Sequence, residues 1–124
     1  MVPAFLFPEG IAREDGHGAE ISIGDSRGRP LVLTLGITRI LEQGSLDVSI
    51  WGSADGQVWQ PLASYPQKFY CGTYSLMLDL SRRLEIRYVR AQWRMSRWGG
   101  GGLKPLFGFY LFAEQAKMQV AGAA

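Results

Sequence analysis

The stretch Leu46–Leu62, LDVSIWGSADGQVWQPL, decides the fold. Leu46, Val48 and Ile50 alternate with Asp47, Ser49 and Trp51, the period-two pattern of a strand with one buried face. Ser53-Ala54-Asp55-Gly56 then supplies turn chemistry, because aspartate hydrogen-bonds its own backbone and glycine takes positive φ freely. Trp59 follows three residues after that glycine. A reversing chain is expected to bring its indole back over the strand and anchor the turn to the core. With Val48 and Ile50 inward, Trp51 is expected to face outward.

Upstream, Leu31, Leu33, Leu35 and Ile37 alternate with Val32, Thr34, Gly36 and Thr38, which predicts a central strand. Ile21 and Ile23 predict a short strand that stops at Gly24-Asp25. Val2–Phe7 reads as a first strand with Phe5 and Phe7 on one side, held to a sheet edge by Pro3 and Pro8. Glu9–Gly18, rich in glycine and charge, reads as a loop, so residues 1–18 are expected to be peripheral.

Downstream, Ala63–Gly72 (ASYPQKFYCG) reads as a long aromatic loop with a short strand inside it. Adjacent Phe69 and Tyr70 point to opposite faces if extended, so one of them is expected to plug the core. Cys71 is expected to be a small buried hydrophobe. Tyr74, Leu76, Leu78 and Leu80 predict another strand. In Arg87–Trp98 (RYVRAQWRMSRW), Val89, Ala91, Trp93 and Met95 face in, and Arg90, Gln92, Arg94 and Ser96 form an outward, partly basic ladder. Gly99–Gly102 is a flexible loop, and Leu106–Phe112 is a last strand that is apolar on both faces. Met118–Ala124 is expected to be a frayed tail, with 116–124 peripheral. Seven or eight short strands without a helical period predict an all-β, antiparallel β-sandwich, of jelly-roll type, in a single domain spanning 1–124.

The 124 residues suffice to bury a core without disulfides or metals. Cys71 is the single cysteine and His17 the single histidine, which excludes an intramolecular disulfide and a Cys/His zinc site. The net charge of +2 divides unevenly, with residues 1–66 near −4 and residues 67–124 near +6. Even the basic half falls short of a nucleic-acid binder, so nucleic acid is not expected as a partner. The start MVPAFLFPEGIA has no basic leader and only a short apolar run, so neither a signal peptide nor a membrane span is expected. A cytoplasmic or virion-like particle setting follows as the expectation.

SADGQVW at Ser53–Trp59 and RYVRAQW at Arg87–Trp93 resemble the discoidin or coagulation factor type C group of galactose-binding-like sandwiches, and the chain also looks similar to small phage-like sandwich proteins. The resemblance runs from Leu46 to Met95. It implies a sandwich that binds ligands, glycans among them, through loops at one end, and a scaffold role for Asp55, Gly56 and Trp59. It also allows a structural calcium built from loop carboxylates such as Asp15 or Asp25; no other cofactor is expected. Secreted members tie their termini with a disulfide, which a single cysteine cannot form.

No catalytic residues are expected. The five aspartates and six glutamates stand singly, and no pair has a spacing suited to acid–base work. His17, between Gly16 and Gly18, reads as a solvated turn residue. Lys104 precedes Pro105 rather than Ser or Thr, so the glycine run is not a phosphate loop. Exposed aromatics beside arginines are the stronger signal. If Arg87–Trp98 and Leu106–Phe112 pair as a hairpin, Trp98, Arg97, Arg94 and Tyr110 gather into one contact patch, with Trp51 as a further contact and Trp93 in the core. The expected function is non-catalytic assembly, as a homo-oligomer or particle component; the alternative is a carbohydrate- or surface-binding module.

Overall fold

A computed structural model describes residues 2–116 and contains, among them, nine strands: β1 (Ala4–Ala12), β2 (Gly16–His17), β3 (Ile21–Ser22), β4 (Pro30–Ile40), β5 (Gly44–Ser53), β6 (Gln60–Ser64), β7 (Gly72–Asp79), β8 (Tyr88–Arg97) and β9 (Phe107–Gln115). They form two antiparallel sheets packed as a sandwich. The first has the order β1-β9-β4-β7. In the second, β8 lies between β5 and the short pieces β2 and β3, and β6 flanks β5. If β2 and β3 count as one interrupted strand, the two orders are first-eighth-third-sixth and second-seventh-fourth-fifth. The count exceeds the expected seven or eight in part because Gly16–His17 pairs with β8 where loop was expected, whereas β3 falls on the short strand expected at Ile21 and Ile23. The frayed tail expected over 118–124 lies outside the described residues.

Alternation built these strands. Leu31, Leu33, Leu35 and Ile37 of β4 and Leu46, Val48 and Ile50 of β5 are buried from opposite sides of one core. Val89, Ala91 and Trp93 of β8 and Phe107, Phe109 and Leu111 of β9 complete it. Close packing of this kind carries most of the stability of a sandwich.

The amino-terminal segment is not peripheral. β1 extends to Ala12, and two register shifts against β9, between Phe5 and Phe7 and between Phe7 and Gly10, break the alternation. An irregularity of this kind re-aims side chains. Phe5 therefore stands on the outer face beside Phe112, at 4.9 Å between ring centres. Leu6 is fully buried, and Phe7 stacks on Phe109 at 4.6 Å, so Phe5 and Phe7 do not share a face as expected. Pro8 is tolerated because β1 is an edge.

The expected hairpin of the last two strands does not form. β8 and β9 belong to different sheets, and the Gly99–Gly102 loop carries the chain across the sandwich. Both sides of each strand are already occupied, β8 by β5 and by β2 and β3, β9 by β1 and β4. The core plug in the long loop is also reassigned: Tyr65 is buried and donates its hydroxyl to the Leu33 carbonyl at 2.6 Å, whereas Phe69, Tyr70 and Cys71 are exposed. Extending the β6 ladder beyond Ser64 turns Tyr65 inward, with its N–H donating to the Val48 carbonyl. The same extension brings Lys68 level with Leu46 and spends the next residues at the surface.

Candidate functional site

The β5–β6 turn is held by its own polar groups. The buried Ser53 hydroxyl accepts from the Gly56 N–H at 2.8 Å and donates to an Asp55 carboxylate oxygen, which accepts from the N–H groups of Gln57 and Val58 at 2.8 and 3.0 Å. These donors, Val58 first, hold the Asp55 carboxyl below the ordinary aspartate range. Gly56 has φ of +78°, the left-handed value the turn requires. Trp59 does not anchor this turn to the core, in correction of the sequence expectation. It is half-buried on the outside of the second sheet, with the Arg90 guanidinium 4.3 Å from its ring centre. The reason is local: Ser53 and Asp55 already satisfy the turn, and the chain leaves it along the sheet edge rather than over its inner face. Trp93 is the tryptophan of the core, packed against Phe7 and Phe109, with its indole N–H on the Glu14 carbonyl at 3.0 Å.

Trp51 faces outward as expected and lines a groove of about 480 Å³ on the outer face of the second sheet. Asp47, Ser49, Ser64, Gln92 and Arg94 line it too. Ser49 accepts the Trp51 indole N–H at 2.9 Å, which fixes the ring, and Gln67 donates to one Asp47 oxygen at 3.1 Å. Asp47 and Arg94 are direct register partners on β5 and β8, close enough for contact, yet they form no ion pair among the described residues. Two same-face levels along, past Ser49 and Gln92, Arg90 pairs with Trp51, and its buried Nε has no hydrogen-bond partner among the described residues.

Trp98 stands at the end of the sandwich where the β4–β5 turn, the β6–β7 loop and the end of β8 meet. It is 61% exposed, edge-to-face with Phe69 at 5.9 Å between ring centres, and Tyr70 lies on Phe69 at 6.4 Å between ring centres. Ile40, Glu42, Gln43 and Gly44 complete a shallow pocket around these rings. The Trp98 N–H donates to the carbonyl of Gln43, a non-glycine residue at φ of +63°. Arg97 is not a free recognition group: its guanidinium donates to the carbonyls of Glu42, Gly99 and Gly100, which ties the glycine loop to the β4–β5 turn.

The expected single patch is therefore three separate places. Arg94 and Trp51 lie in the groove, and Trp98 and Arg97 at the sandwich end. Tyr110 lies on the outer face of the first sheet, beside Phe5 and packed so closely over Gly36 that a Cβ there would meet its ring. The separation follows from β8 and β9 lying in different sheets. Sequence reasoning missed Phe69 and Tyr70 as surface residues. The available signal was two aromatics in a row within a Pro- and Lys-containing loop, where at most one can point inward.

His17 is exposed, with Nδ1 beside the Gly18 carbonyl. Asp15 is engaged by the Met95 N–H at 2.8 Å, and no group of three or more His, Cys, Asp or Glu residues is gathered among the described residues. No helix among them is long and apolar enough to cross a membrane. Comparison with models of known protein families, with curated proteins and with solved structures finds no match to this chain.

Proposed function

We propose that this chain is a non-catalytic sandwich protein that works by protein–protein assembly, as a homo-oligomer or a component of a larger particle. One observation carries the reading: Phe69 packs edge-to-face with Trp98 and tilted against Tyr70, while the three remain 40%, 61% and 72% exposed. Clustered exposed aromatics favour a partner, since contiguous apolar surface marks contact sites and Trp and Tyr dominate interface energetics. Light scattering after size exclusion tests it. At about 100 μM, two decades above a micromolar Kd, the wild type is expected to run as a multimer and Tyr70→Ser/Trp98→Ser as a monomer. A monomeric wild type at that concentration overturns the reading.

A second reading, recognition of a neutral polyhydroxylated ligand such as a sugar ring, is favoured by the groove. Asp47 and Arg94 offer an acceptor and donors with no ion pair between them, beside a Trp51 ring suited to stacking. Titration of the protein with methyl glycosides, followed at the Trp51 indole N–H by NMR, should show a saturable shift that Trp51→Ala abolishes. No shift at about 50 mM sugar, well above a millimolar Kd, removes this reading.

A further inference from the structure

The two sheets expose four edges, and three are blunted. β1 carries Pro8 and two register shifts. β6 has five residues, Pro61 among them, and a shift against β5. β2 and β3 are two residues each. β7 is different. All eight of its residues, GTYSLMLD, pair with β4 without a shift, there is no proline, and the single charge is Asp79 at its end. Beyond the β4 ladder, residues 72–79 make no backbone hydrogen bond among the described residues, so the outer N–H and C=O groups of the strand are unpaired. Its inward row is incompletely covered as well: Tyr74 and Leu76 pack on the core yet stay half-exposed at the open side. Lys68 covers only the Tyr74 end, with Nζ 3.8 Å from that ring centre.

Natural sheets protect long regular edges against pairing, so one unprotected edge beside three protected ones marks a pairing site. We infer that β7 pairs antiparallel with β7 of a second copy of this chain, joining the two first sheets into one continuous sheet. The occupant follows from self-complementarity. In an antiparallel pair, residues directly opposite share a face, so a two-fold axis normal to the sheet must lie midway between one residue and its own copy. An axis between Leu76 and Leu76 of the second copy places Tyr74 opposite Leu78 of the second copy, which closes the half-covered inward row. On the outer row, Thr73 meets Asp79 and Ser75 meets Met77, with no like charges opposed. The same register sets the loop that carries the exposed Tyr70, just before β7, beside the turn that carries the exposed Arg82, just after β7, of the second copy, so an aromatic end meets a cationic one.

The inference rests on the assembly reading, and charge exchange separates the two. Ser75 and Met77 are exposed, so Ser75→Lys/Met77→Lys and Ser75→Glu/Met77→Glu should fold normally. Each alone should lose the wild-type dimer and run at half its mass, because lysines or glutamates then face their own kind across the axis. An equimolar mixture of the two should regain the dimer mass. If both charged variants remain multimeric while Tyr70→Ser/Trp98→Ser is monomeric, assembly stands and the β7 edge is overturned. A wild type that is monomeric at about 100 μM overturns both.

Discussion

The Asp55 carboxylate accepts two backbone N–H groups and the Ser53 hydroxyl, and these donors bind the ionised oxygen more strongly than the oxygen of a protonated carboxyl. Its folded pKa is therefore depressed below the unfolded value. A depressed carboxyl contributes stability that is present above the unfolded pKa, near 4, and lost as pH falls through the folded one. Glu14, Asp79 and Glu85 are lowered too, Glu14 by Lys104 and Asp79 by the Ser81 N–H, so the wild-type acid slope is shared among several groups. Asp55→Asn keeps an acceptor oxygen but no titration there. Its melting temperature should lie below that of the wild type at pH 7 and converge on it as pH falls below the aspartate range; parallel curves would remove Asp55 from the acid response. Asp55 and Gly56 were readable in the sequence because turn chemistry is local. Trp59 was not, since a large apolar side chain near a turn finds the core or a guanidinium according to neighbours that arrive from distant strands.

Alternation identified β4, β5, β7, β8 and the inner face of β9, because each buries one face against the same core and a one-residue slip would expose it. It failed at β1, where irregular pairing moved Phe7 into the core and left Phe5 outside. It also failed at β2, whose two-residue ladder leaves no period to detect, whereas Ile21 and Ile23 were enough to mark β3. Pairing was harder to read than strand content. Among consecutive strands, only β5 and β6 are neighbours in a sheet, so the rule that sequential strands pair misleads in a sandwich whose connections repeatedly cross between layers. That one misreading scattered the candidate site. Arg94, Trp98 and Tyr110 were grouped by a hairpin that does not exist, while β7, read as an ordinary strand, became an edge only once its single neighbour β4 was known.

The two layers are joined most directly by one aromatic cluster. Trp93 of β8 in the second sheet packs against Phe7 of β1 and Phe109 of β9 in the first, at 4.7 and 5.4 Å between ring centres, and reaches the β1–β2 loop through the Glu14 carbonyl. Removing it opens a cavity between the sheets that neither layer can fill alone, since the facing residues are fixed in register from both sides. Trp93→Ala is expected to cost about 3–5 kcal/mol, whereas Trp59→Ala, which loses a surface cation–π contact with Arg90, should cost about 1 kcal/mol or less. Because the cluster belongs to both sheets, the Trp93→Ala loss should appear as a single transition with coincident midpoints in far-ultraviolet circular dichroism and in the fluorescence of the remaining tryptophans. Two separate midpoints would show that the sheets unfold independently, and an unchanged midpoint would show that the inter-sheet cluster contributes little to stability.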